Sequence, residues 1–126
     1  ITTMANDFKR FVKKDIGTGE GASGSTVYTV PAGAGSSALE SIVIGITIAN
    51  KSTAGITCDV FIDALGGASD DVYIVKDASI PAGSSLEVMS GNKLVLQNSG
   101  SAGDILKMTS STASAADGIV SVLEDV

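Results

Sequence analysis

Between Leu39 and Asn50 the isoleucines Ile42, Ile44, Ile46 and Ile48 fall on every second residue, the period of a strand with one face buried. The sequence therefore predicts a central β-strand over Leu39–Asn50. Four β-branched side chains would also lose χ1 freedom in a helix. The interleaved residues Ser41, Val43, Gly45, Thr47 and Ala49 are small and mixed rather than charged. That pattern suits a strand covered on both faces or pressed against a neighbouring subunit.

Short apolar-polar runs separated by Gly, Ser, Asn and Pro clusters continue along the chain. They predict strands at 25–30, 39–50, 55–63, 71–76, 85–89, 93–97, 104–109 and 118–124. Eight short strands predict an all-β fold, an eight-stranded jelly-roll-like β-sandwich. Residues 50–55 read as a hairpin loop, and Ser90, Gly91 and Asn92 as a tight turn, because Gly and Asn tolerate positive φ. An internal echo accompanies this pattern: Val27, Tyr28, Val30, Pro31, Ala32, Gly33, Ser36, Ser37, Leu39 and Glu40 recur in order as Val72, Tyr73, Val75, Pro81, Ala82, Gly83, Ser84, Ser85, Leu86 and Glu87. The spacing between the copies drifts, which excludes a solenoid repeat. The echo fits two halves of a jelly roll that turn a corner alike, or convergent turn chemistry.

Composition narrows the core and the chemistry. At 126 residues there is room for one domain, burying about two thirds of the surface of its unfolded chain. The chain is 44% hydrophobic but only 4% aromatic, so its core must be built from Ile, Val and Leu. Histidine and tryptophan are absent, which removes the commonest general base, the commonest metal ligand and the best stacking platform. No enzymatic activity is expected. No run approaches the 18 to 20 apolar residues of a membrane-spanning helix, and the first residues lack the apolar core of a secretory signal, so the chain reads as soluble. Cys58 is the single cysteine and alternates with Ile56, Val60 and Ile62, the position of an inert core thiol.

Charge is distributed unevenly. Lys9, Arg10, Lys13 and Lys14 supply half of the chain's eight basic residues, whereas beyond Glu20 four basic residues face eleven acidic ones. Phe8 and Phe11, two of the three phenylalanines, lie within the same basic segment, and Phe8, Phe11 and Val12 fall at helical spacing. The run from Met4 has the character of a translational start, with Ile1, Thr2 and Thr3 read as an added remnant or an alternative start. The sequence thus predicts two parts: residues 1–24, an N-terminal arm with a Gly-rich linker, and residues 25–126, the sandwich domain. Within the arm, Phe8, Lys9, Arg10, Phe11, Lys13 and Lys14 are the expected partner-docking residues, the aromatics burying against a partner while the cations meet an acidic surface. The plainer alternative is a solvated terminus, or a short helix or strand closing one end of the sandwich.

Other constellations carry little chemistry. Gly17, Gly19, Gly21 and Gly24 lack the preceding strand and the Gly-Lys-Ser/Thr of a phosphate loop. Asp59 and Asp63, with Asp70, Asp71 and Asp77 nearby, match no EF-hand spacing, and Asp59 and Asp63 are expected on a solvent face opposite Cys58 and Val60. Serine nucleophiles have no histidine to activate them. No catalytic, cofactor or metal site is expected. Neither is a nucleic-acid partner, since the body is acidic and there is no second basic patch, nor a membrane partner.

The MANDFKRF opening, VYTVPAG, the isoleucine strand ending in Ala49, Asn50 and Lys51, the passage SIPAGSSLEVMSGNKLVLQ and the closing GDILKMTSSTAS with IVSVLE resemble small structural proteins of tailed bacteriophages, especially marine and cyanobacterial ones. The resemblance covers most of the chain from Met4 onward. It implies a jelly-roll virion component without enzymatic activity, a capsid decoration or cement protein or a neck or tail accessory protein, assembled in the host cytoplasm. Such a protein acts in many copies, through contacts with itself and with other virion proteins; the oligomer expected for this chain is a trimer. The alternative is a module on a tail appendage that binds host-surface glycans. The strand pattern predicts a circular dichroism spectrum with helix below about 10%, against the globular average of roughly 30–35%; a substantially helical spectrum would exclude the sandwich.

Overall fold

A computed structural model of the chain describes residues 6–19, 24–33, 35–64, 71–89 and 93–125. They form nine strands, and none of them is α-helical. The strands are β1 (Asn6–Lys13), β2 (Ser25–Thr29), β3 (Leu39–Asn50), β4 (Ile56–Asp63), β5 (Asp71–Ile80), β6 (Ser85–Glu87), β7 (Leu94–Asn98), β8 (Ile105–Ser110) and β9 (Ala116–Asp125). All pairings are antiparallel, in two sheets. One runs β1-β9-β3-β6, with β7 also paired to β3, and the other runs β2-β8-β4-β5.

β6 and β7 pair with opposite ends of β3, β6 with Thr47–Ala49 and β7 with Leu39–Val43. They are two halves of one interrupted strand. Counted so, the sandwich has eight strand positions in the orders 1-8-3-6 and 2-7-4-5, the connectivity of a jelly roll. Each of the eight expected segments is a strand, and the ninth is β1. The segment at helical spacing is thus a strand that hydrogen-bonds along its whole length to β9, from Asn6 opposite Asp125 to Lys13 opposite Gly118. It is the edge of the five-stranded sheet rather than an arm separate from the sandwich. Pairing with β9 decides this: short side-chain spacing at Phe8, Phe11 and Val12 is overridden once an unpaired strand edge is available.

Two other expectations change. Residues 51–55 are not a hairpin, because β3 and β4 belong to different sheets; the loop crosses the sandwich and is held by Asn50. The Asn50 amide donates to the carbonyls of Ala54 (2.8 Å) and Ile80 (3.0 Å), and its oxygen accepts from Ser52. The turn at 90–92 lies outside the described residues. The two Pro-Ala-Gly segments of the echo occupy corresponding corners: one follows β2 and the other β5, the two edges of the four-stranded sheet, and each leads the chain into the five-stranded one.

The central strand holds the main surprise. Its register against β9 slips between Val43 and Gly45, so Ile44 is the extra residue of a β-bulge. Before the bulge Leu39, Ser41 and Val43 face the core; after it Ile46, Ile48 and Asn50 do. The predicted single face of four isoleucines is therefore split. Ile46 and Ile48 are buried, Ile42 is half-buried and Ile44 is 43% exposed on the other side. Val30, Cys58, Val60, Leu96, Leu106, Met108, Val120 and Val122 complete the core around them. Replacing Ile46 with Asp should cost about 4 kcal/mol or more by placing a carboxylate in that core, whereas Ile44→Asp should cost under about 1 kcal/mol. Equal losses of melting temperature in the two variants would contradict the bulge.

Candidate functional site

β1 is fastened from within. Alternation turns Lys9 and Phe11 toward the second sheet, where the Phe11 ring lies 4.5 Å from that of Tyr28, on β2. The Tyr28 hydroxyl donates to Glu124 Oε2 at 2.5 Å and accepts from Ser41 at 2.9 Å. Glu124, on β9, is 1% exposed, and its other oxygen meets the Lys9 ammonium at 2.8 Å. A buried carboxylate is thus neutralised from the edge strand and hydrogen-bonded from the opposite sheet, the conditions under which burial of a charge is tolerated. Below β1, Ile16 is buried and its N–H donates to the Ala116 carbonyl at 2.8 Å. Lys51 bridges Asp15 and Asp117, and the Asp15 N–H donates to Asp117 at 2.9 Å. That N–H, more than the nearby lysines, holds the Asp117 carboxyl below its usual range.

The same alternation turns Phe8, Arg10 and Val12 outward. In register across the sheet, Phe8 lies opposite Leu123, Leu123 opposite Ile42, and Ile42 opposite Val95. A row of four apolar side chains therefore crosses β1, β9, β3 and β7. A second row runs Val12, Ile119, Thr47 and Glu87. Between them lie Arg10, Ser121 and Gly45, with Ile44 beside them at the bulge. Among the described residues, Phe8, Val12, Ile44, Val95 and Ile119 are five of the seven large apolar side chains left exposed. Their concentration on one sheet face makes that face a contiguous apolar patch of the kind that marks an interaction surface. Phe8 is 78% exposed.

The six residues singled out from the sequence are thus divided by the strand period. Phe8 and Arg10 stand on the outer face, Lys9 and Phe11 belong to the internal latch, Lys13 is half-buried, and Lys14 is exposed near Asp117. Lys13 and Lys14, with Val12, Asp117 and Ile119, line a shallow depression at one end of the patch. Val95, Ile119, Leu123 and the outward isoleucines of β3 join the face without having been singled out by charge or aromatic content. A signal for them exists: Ile119, Val120, Val122 and Leu123 are apolar at both parities, the mark of a strand with two apolar faces.

The acidic residues differ from expectation as well. Asp59 is buried rather than solvated: it accepts from the Asp77 N–H at 2.6 Å and the Thr109 hydroxyl at 3.1 Å, and lies 3.4 Å from the Lys76 ammonium. Irregular pairing of β4 with β5 at this point allows Cys58, Asp59, Val60 and Phe61 all to face inward or be covered. Asp63 lies 3.7 Å from the buried Lys107 ammonium. No cluster of three or more His, Cys, Asp or Glu among the described residues is placed to hold a metal ion. Burial pushes the Cys58 thiol pKa up, away from the reactive thiolate. Neither a family model, nor a characterised protein, nor a solved structure matches the chain.

The latch has a pH signature. Glu124 raises the pKa of Lys9 through a hydrogen bond and its charge; burial first, and then Glu124, raises that of Tyr28. Both groups hold their protons more tightly folded than unfolded, so their stabilisation is complete below about pH 10 and is lost as pH rises through the folded values. Tyr28→Phe should cost about 1–3 kcal/mol at neutral pH, by leaving a Glu124 oxygen without its donor, and should flatten the decline in stability above pH 10. Urea melts between pH 7 and 11 measure both; a parent protein whose stability does not fall in that range would contradict the latch.

Proposed function

We propose that the chain is a structural component of a tailed-phage virion, a capsid decoration or cement protein or a neck or tail accessory protein, that works by multicopy protein–protein assembly. The observation that carries this reading is the apolar outer face of the β1-β9-β3-β7 sheet. A face of this kind is stable in water only at a cost, because each Val, Leu, Ile or Phe side chain that becomes fully buried returns about 1.5–3 kcal/mol. Its centre is nearly free of charge, with Arg10 and Glu87 toward opposite edges and Glu40 and Gln97 at one end, the arrangement of apolar centre and polar rim found in protein interfaces.

Resemblance to phage structural proteins supports the same conclusion from the sequence side. In this reading the N-terminal segment contributes to docking as a strand of the sheet, through Phe8, Arg10 and Val12, rather than as a tether. The internal latch keeps that strand in place so that the face is formed before any partner arrives, which lowers the ordering cost of association. The work of such a protein is burial and adhesion, and none of it requires bond chemistry.

The test combines incorporation with a glycan array. Val95→Lys and Ile119→Lys, both at exposed positions, should leave the melting temperature nearly unchanged and should sharply reduce co-sedimentation of the chain with assembled particles. The parent domain should bind no glycan on the array. Normal incorporation of both variants, or selective glycan binding by the isolated domain, would overturn the proposal in favour of an appendage module.

A further inference from the structure

We propose that the occupant of the outer face is a second copy of this chain, packed sheet on sheet about a two-fold axis parallel to the strands. This rests on the reading of that face as an assembly surface and adds the identity and geometry of its partner. The row Phe8, Leu123, Ile42, Val95 is the first argument. Rotation by 180° about a strand-parallel axis between β9 and β3 reverses the row onto itself. Phe8 of one copy then faces Val95 of the other, and Leu123 faces Ile42. The largest and most exposed side chain meets a smaller one, and the two half-buried ones meet at the centre, so the row complements its own reversed image. Such isologous self-complementarity defines a two-fold contact, in place of the trimer expected from the sequence.

The charges at the β1 and β6 edges favour this axis. Exposed cations Arg10 and Lys14 lie at the β1 side of the face, and Glu87 is exposed on β6 at the opposite side, in the row of Val12. The strand-parallel axis brings β1 of one copy over β6 and β7 of the other. Glu87 then stands level with Val12, two residues or about 7 Å along the strand from Arg10. An arginine side chain spans that distance. A two-fold axis across the strands, placed at the centre of the face between the two rows, would instead put Arg10 over Arg10, a like-charge contact that interfaces avoid.

Size sets the strength. Four strands at about 4.8 Å spacing and seven residues at about 3.4 Å give a planar footprint of roughly 450 Å². Standard interfaces bury about 800 Å² on each partner. The contact is therefore a weak, reversible dimer in solution, reinforced in an assembly by the many copies it holds together.

Sedimentation velocity on the full chain between about 1 and 500 μM tests this, with Val95→Lys, Arg10→Glu, Glu87→Arg and the double variant R10E/E87R, all at exposed positions and each first shown by circular dichroism to keep the parent fold. The expected result is a concentration-dependent dimer whose dissociation constant rises at least about tenfold in Val95→Lys, equivalent to about 1.4 kcal/mol. Arg10→Glu and Glu87→Arg should each weaken it, and the double variant should restore it. A chain monomeric throughout, a dimer indifferent to Val95→Lys, or charge reversals without rescue would overturn the proposal. If the chain is monomeric yet Val95→Lys abolishes particle incorporation, the second copy is excluded while the assembly reading stands. If Val95→Lys dissociates the dimer but leaves incorporation intact, the dimer stands and the assembly reading falls.

Discussion

One extra residue in the central strand governs this molecule. A strand with strict alternation keeps one face inward from end to end, and a one-residue slip sends every later side chain to the other side. The bulge at Ile44 makes that slip within β3. It brings Ile46 and Ile48 into the core while leaving Ile42 and Ile44 on the outside. Both the buried layer and the apolar outer face follow from it, because β3 lies between β9 and the β6/β7 strand position and passes its register to them.

The edge strand completes what the bulge begins. Without β1, β9 would present an open edge and Glu124 would lose the Lys9 ammonium. With it, the carboxylate is held between a cation from one strand and a phenol from the other sheet. Removing either partner leaves a buried acceptor short of a donor, so the latch ties the folding of the N-terminal strand to the closing of the sandwich. The outward residues Phe8, Arg10 and Val12 are positioned by the inward ones, Lys9 and Phe11. Docking residues on a paired strand lose less freedom on binding than the same residues on a tether.

Much of the fold was legible in the sequence because strand period and turn residues are local signals. All eight expected strands are present, and the Pro-Ala-Gly echo marks two equivalent corners of the jelly roll. The bulge is masked by four evenly spaced isoleucines, and its one local sign is the isolated Gly45 beside Ile44, since a glycine inside a strand often marks a bulge. Charge and aromatic content set the N-terminal segment apart and point to an arm; the alternative of a strand closing the sandwich is the one the fold adopts, and its partner β9 lies at the far end of the chain. Alternation alone points Asp59 to solvent, because it takes no account of irregular pairing or of the donors supplied by Asp77 and Thr109. The outer face is hidden in the sequence for a related reason. Its members come from four strands distant in sequence, and only the register brings them into rows.

The central claim is that the outer face of the β1-β9-β3-β7 sheet is a protein-binding surface. A cryo-EM map of an intact particle containing the chain, resolved well enough to trace strands, tests it most directly. The account predicts protein density packed about 10 Å from that sheet, over the row from Phe8 to Val95. A map in which this face is open to solvent, with the chain attached through its loops or through the four-stranded sheet, would contradict it.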